Sequence, residues 1–222
     1  LKLLAVETST EACSCALLLE GDCQELFELA PRRHGELLLP MMDRLLADAG
    51  IGLADLDALA FGRGPGAFTG VRIATAAVQA IAFARDLPVA PVSSLQALAQ
   101  GAYRELGQEA VLAAFDARMN EVYWGAYRLE RPPLLEPALP EQVCAPEAVP
   151  VPEGRAWFGV GMGWASYREP LAARVKGALA GMAPERYPHA RDVATLGAAL
   201  AARGTLVPAE LALPVYLRDK VV

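Results

Sequence analysis

The densest run of chemically suggestive residues is Gly62-Arg63-Gly64-Pro65-Gly66-Ala67-Phe68-Thr69-Gly70-Val71-Arg72. Glycines admit positive φ and let a backbone pass close to its neighbours. A helix N-terminus behind them is suited to an anion. No Lys-Ser/Thr pair closes the run, so it is not a P-loop; by itself it reads first as a tight strand-to-helix turn. Other candidates are sparse. Asp116 is the one carboxylate placed to serve as a base. Gly159, Gly161 and Gly163 could border an adenosine but lack dinucleotide-fingerprint spacing. His34 and His189 are the only histidines. They form no ligand pair and read as surface residues. Cys13 and Cys15 alternate along an apolar run and so share one face of a strand, with no second knuckle to complete a metal site.

Twenty basic and 26 acidic residues give a net charge of −6, which opposes broad contact with a phosphate backbone. The largest basic cluster, Arg32-Arg33-His34, is small. Any work on nucleic acid therefore calls for a partner that supplies most of the grip. Residues 71–84 form the most apolar long stretch, and Arg72, Thr75 and Gln79 interrupt it. It is too short and too polar to cross a bilayer. The first residues lack the h-region and cleavage site of a signal peptide, and the expectation is a cytoplasmic protein.

The elements that must position these residues follow from periodicity. Strands are expected at 3–7, 13–19 and 23–29, with a Gly21-Asp22 turn between the last two. A helix over 34–49 ends at Gly50. A strand at 56–61 leads through the glycine turn into a helix that starts at 69 or 70 and reaches 85. A short strand, 88–92, precedes a helix over 95–106 capped by Ser93 or Ser94. This β-β-β-α-β-α-β-α order is the repeating unit of the actin-like, Hsp70-like (ASKHA) architecture, an α/β fold that carries the unit twice. Strands at 111–115 and 121–129 open a second copy. Seven prolines across 132–152 then break it up, leaving a short strand at 157–160 and a helix at 192–202. The expected organisation is a full first domain, 1–106, and an abbreviated second one, 107–222, whose tail returns to the first.

Several motifs together resemble the bacterial TsaB (YeaZ) family. Gly64 to Arg72 is similar to its Gly-Pro-Gly-Ser-Phe-Thr-Gly-Leu-Arg signature, with Ala67 and Val71 as mild changes. Leu4-Ala5-Val6-Glu7-Thr8-Ser9-Thr10 resembles its opening, with Glu7 where Asp is usual. His34 to Met42, Phe115-Asp116-Ala117-Arg118 with Glu121-Val122-Tyr123, and Pro214 to Arg218 also fit. The resemblance implies a role in threonylcarbamoyl modification of the adenosine next to the anticodon in tRNAs. It implies two partners: TsaD, a catalytic paralogue that holds the metal and uses threonylcarbamoyl-AMP, and the ATPase TsaE. It also implies self-dimers and contact with tRNA only through the complex. The paralogue opens a helix Asn-His-Met-Glu-Gly-His, with two histidines four apart as a metal requires. The matching positions here are Ser94 and Leu98, so neither a metal nor any other cofactor is expected and the chain reads as non-catalytic.

The alternative is a stand-alone kinase or ATPase of the same fold. Glu7-Thr8-Ser9-Thr10 and Asp116-Ala117-Arg118 occupy the places of its phosphate hairpins, but neither carries the glycine that allows close approach. Thr8, Ser9, Gly64, Gly66, Asp116 and Gly161 are thus candidates for vestigial nucleotide or anion loops. The helix 34–49 is apolar over about twice the arc that one sheet needs. That width fits either a helix buried in its own domain or one shared with a partner. Leu38, Met41, Met42, Leu45 and Ala49, with Ile73 and Ala77 on the next helix, are the expected interface. On that expectation Leu45→Glu abolishes pairing and leaves the monomer folded.

Overall fold

A computed structural model describes residues 1–218. Internal contacts divide the chain into two compact units, Leu1–Ala97 with Pro188–Val215, and Leu98–Tyr187 with the segment from Tyr216 onward. The division falls inside a helix rather than at residue 106, and residues 188–215 go with the first unit.

In the first unit β1 (Lys2–Glu7), β2 (Ala12–Leu19) and β3 (Asp22–Leu29) form an antiparallel meander. β4 (Ala58–Gly62) and β5 (Val89–Val92) then run parallel to β1, giving the order β3-β2-β1-β4-β5. The period-2 alternation of strands sorts the side chains. Leu4, Val6, Cys13, Cys15, Leu17, Leu59 and Phe61 join one core with α1 (His34–Asp48) and α2 (Phe68–Arg85). Burial pushes the Cys13 thiol up to about 11, as expected of an inert core cysteine. The opposite face is covered by α6 (Ala190–Ala202), which comes from the far end of the chain. It lies close because the facing residues are small. A Cβ at Gly197 would sit 2.9 Å from the Ala60 methyl and 3.3 Å from that of Ala90. Val207 continues past this helix to pair with Val89 on the β5 edge.

The second unit repeats the pattern. β6 (Ala110–Arg118), β7 (Glu121–Arg131) and β8 (Leu134–Pro137) form the meander. β10 (Trp157–Val160) and β11 (Leu179–Ala183) add in parallel, and the order is β11-β10-β6-β7-β8. β9 (Gln142–Cys144) pairs with β7. Apart from the extra β9, the five strands in this order match those of the first sheet, and the chain has the two-domain actin-like fold. The helices are the later part of α3 (Ser94–Leu106), then α4 (Met162–Ser166) and α5 (Arg168–Val175). The proline stretch takes part in the sheet through β8 and β9, and the carbonyls at its end are also used. The indole N–H of Trp124 donates to Pro150 O and that of Trp157 to Pro152 O, both at 2.9 Å. Among the described residues no helix is long and apolar enough to cross a membrane.

Candidate ligand loops and partner surface

Thr8, Ser9, Gly64 and Gly66 do come together, at the carboxyl ends of β1 and β4. The glycines there face the chain's own backbone. A Cβ on Gly66 would lie 2.4 Å from Ser9 O, and one on Gly70 would lie 2.0 Å from Thr8 O. Ala67 N–H donates to Ser9 O, and Thr8 Oγ1 donates to Gly70 O, each at 2.7 Å. Gly64 holds φ +92° under the Val215 carbonyl, and Val215 N–H donates to Arg63 O at 2.8 Å. Close approach at this loop therefore serves to seat the β1–β2 turn and the C-terminal segment against α2.

Glu7 is fully buried beside that turn. It accepts hydrogen bonds from Ser9 N–H at 2.6 Å and from Ser94 Oγ at 2.8 Å. Burial raises its pKa, and the Ser9 and Ser94 hydrogen bonds oppose the rise. The carboxylate sits where β4 must be glycine, since a Cβ at Gly62 would overlap Glu7 Oε2. It thus joins the ends of β1 and β4 to the start of α3.

Asp116 and Gly161 belong to the second unit. Asp116 is taken up by its own turn. Its Oδ1 accepts Arg118 N–H at 2.8 Å and the Tyr167 hydroxyl at 3.3 Å, and its Oδ2 lies 3.4 Å from Arg118 Nη1. The Asp116 carboxylate and Arg118 beside it raise and lower the Tyr167 pKa respectively, after burial, which is the largest cause of its rise. Arg118, Met119 and Asn120 all hold left-handed φ, from 55° to 63°. Gly161 allows α4 to approach β6. A Cβ there would fall 2.5 Å from Ala114 O, and one on Gly163 would fall 2.7 Å from the Ala114 methyl.

Both histidines are held inside the first unit, contrary to the expectation of surface residues. His34 Nε2 lies 2.8 Å from Thr10 O and 3.1 Å from Ala12 O, two acceptors that require the proton on Nε2. His189 stacks on Phe27 and pairs with Glu25 at 3.1 Å, which pins the start of α6 to β3. Among the described residues no three His, Cys, Asp or Glu side chains gather in a manner that could hold a metal.

Leu38, Met41, Met42 and Leu45 are at most 9 % exposed and fill the core beneath α1. The wide apolar arc of α1 is consumed by β2, α2 and the 51–56 connection, where Ile51, Leu53 and Leu56 pack. These four side chains are therefore not on offer to another molecule. Ala49, Ile73 and Ala77 are half-buried. What α2 shows to solvent is a stripe, Ile73, Ala76, Ala77, Ala80 and Ala84, at the i, i+3, i+4, i+7, i+11 spacing of one helix face. Leu39 of α1 (54 % exposed), Phe68 (54 %) and Phe83 (83 %) add bulk. Ile73 and Ala77 were among the expected interface residues, whereas Ala76, Ala80, Ala84, Leu39, Phe68 and Phe83 were not, because apolar residues on an apolar helix look like core.

A family model described as TsaD, tRNA N6-adenosine threonylcarbamoyltransferase, matches residues 27–222. The chain is 40% identical over 224 residues to the Escherichia coli tRNA threonylcarbamoyladenosine biosynthesis protein TsaB, covering 100% of this chain and 96% of that protein. The chain belongs to the TsaB (YeaZ) family. A Haemophilus influenzae TsaB is 48% identical over 177 residues, 76% of this chain and 75% of its own length. The solved structure of YeaZ from Pseudomonas aeruginosa superposes with a TM-score of 0.91 at 51% identity, covering 97% of this chain and 99% of that one. The family match rests on the whole length, including the second unit, where sequence motifs are fewest.

Proposed function

We infer that this TsaB-family chain is a non-catalytic subunit in tRNA threonylcarbamoyladenosine biosynthesis. It holds a TsaD paralogue competent for threonylcarbamoyl transfer from threonylcarbamoyl-AMP to the adenosine next to the anticodon. TsaE completes the assembly, tRNA is met only through the complex, and the chain pairs with itself when alone. The work is cytoplasmic.

The observation that carries this reading is that the chain's own backbone fills both glycine loops at which an actin-like enzyme would grip its ligand. Thr8 and Ser9 occupy the first loop and Ala114 the second. Asp116 is likewise engaged by Arg118 and Tyr167. A stand-alone kinase would need those places open.

The partner surface in this reading is the small-residue stripe of α2 with Leu39 of α1. Small side chains let a facing helix approach closely, as in a four-helix contact. The test is size-exclusion chromatography with light scattering, on the chain alone and mixed with the TsaD paralogue of the same organism. A self-dimer that converts to a one-to-one heterodimer is expected, and Ala80→Arg should block both without unfolding the chain. A chain that ignores the paralogue, or one that hydrolyses ATP unaided with a dependence on Asp116, would overturn the assignment.

A further inference from the structure

Residues 207–215 of the first unit form a strap along the flank of α2. Val207 exchanges two backbone hydrogen bonds with Val89, both at 2.8 Å. Ala209 and Ala212 are buried in the core that α2 shares, and Gln79 Nε2 donates to Ala212 O at 3.0 Å. Val215 N–H donates to Arg63 O. The strap is thus pinned at its start, its middle and its end. Leu211 and Leu213 stand on either side of Ala212 and are 57 % and 52 % exposed. A strap that only met water would be served by polar residues there, as the exposed Glu210 shows.

Gln79 borders the small-residue stripe of α2. Ala76 and Phe83 lie one helix turn from it in either direction, and Ala80 follows it. The strap that Gln79 holds therefore runs along the edge of that stripe. Of the large apolar side chains exposed among the described residues of the first unit, Leu39, Phe68, Phe83, Leu211 and Leu213 belong to α1, α2 or the strap, and only Leu1, Phe27 and Leu29 lie elsewhere. Such a concentration marks a contact surface. We infer that the strap is a second element of the partner surface, with Leu211 and Leu213 meeting the same TsaD paralogue as the α2 stripe. This rests on the scaffold reading given above. The family model described as TsaD matches residues 27–222, a range that holds both α2 and the strap, so a paralogue of that family brings corresponding elements of its own to the contact. Ala76, Ala80, Phe83, Leu211 and Leu213 carry no charge, and the face that fits them is apolar. Because the strap is pinned beforehand, little ordering is left to offset the gain on binding.

The test uses the full chain and the TsaD paralogue of the same organism. Calorimetry measures the affinity, light scattering the self-dimer, and circular dichroism the melting temperature of each variant. Leu211→Asp and Leu213→Asp should each weaken pairing with the paralogue at least about tenfold. Their melting temperatures should match wild type, because both sites are more than half exposed. If either aspartate variant melts lower, Leu211→Ser and Leu213→Ser, which add no charge, carry the comparison. Leu29→Asp, similarly exposed on β3, should pair as wild type does. Strap variants that pair as wild type does, while Ala80→Arg does not pair, overturn the role of the strap and leave the scaffold reading in place. A wild-type chain that does not pair removes both. Strap variants that weaken the self-dimer alone would give the strap to a second copy instead of the paralogue, and so overturn the assignment.

Discussion

Replacing Gly70 by alanine separates helix propensity from packing, because the two effects have opposite signs. In an ordinary helix the change stabilises by about 1 kcal/mol. At Gly70 the new Cβ would lie 2.0 Å from Thr8 O. A carbon and a carbonyl oxygen settle at about 3.3 Å, so backbone on one side must retreat by roughly 1 Å. Overpacking of that kind costs about 1–3 kcal/mol. The retreat also breaks the Thr8 Oγ1 to Gly70 O hydrogen bond, a further loss of about 1 kcal/mol. After the propensity gain is subtracted, Gly70→Ala should be about 1–3 kcal/mol less stable than wild type. Gly35, on the exposed start of α1, has nothing within 4 Å of its added Cβ. There the same change should be neutral or stabilising by up to about 1 kcal/mol. Urea unfolding followed by far-ultraviolet circular dichroism measures both. A Gly70→Ala protein as stable as Gly35→Ala would show that the turn and α2 are not in the contact described.

Three further outcomes follow from the same geometry. Leu45→Glu should unfold the first unit, since it places an unpaired charge in a site only 3 % exposed; a loss of at least about 3 kcal/mol is expected, and a folded but unpaired monomer would contradict the burial. Glu7→Gln should gain on wild type as pH rises. The buried carboxyl has a raised pKa, so its contribution is fully present below the ordinary glutamate range and is lost as pH climbs through the folded value. Urea midpoints of the two proteins at acidic and at mildly alkaline pH test this, and a gap that does not change with pH would rule it out. Met119→Gly should raise thermal stability, because Met119 holds φ 55° and a left-handed non-glycine residue costs about 1–2 kcal/mol; calorimetry that finds no gain would mean the turn is not strained.

The first unit was legible because its elements are long and periodic. The alternation through residues 3–7 and 13–19 and the start of the helix at 34 came through to within a residue or two. The second unit was harder. α4, α5 and β11 are short, with Gly161 before the first, Pro170 inside the second and Gly177 before the third, so no window held enough periods to announce them. The proline stretch read as a break, yet it carries β8 and β9, because β7 is long enough to pair with both, a partnership between distant residues that a sequence does not display. Four α1 residues of the candidate interface proved to be core for a different reason. An apolar arc records how much of a helix is covered and not by what. On α1 the cover at Leu38, Met41, Met42 and Leu45 comes from the chain itself. The glycine loop was recognised as a motif, but its use could be known only once Thr8 and Ser9 were seen against it.

The covering of the first sheet by α6 has a consequence for synthesis on the ribosome. β1, β4 and β5 are complete by Val92, whereas the helix that shields Leu3, Ala60 and Ala90 begins at Ala190. About a hundred residues separate the two, which at 5–20 residues per second leaves that face bare for roughly 5–20 s. During this interval the nascent chain presents an apolar, small-residue surface with no cover of its own. The N-terminal half cannot mature first and wait. Its folding is tied to the arrival of the last helix, and a message cut short before residue 190 would yield a chain that exposes this face permanently.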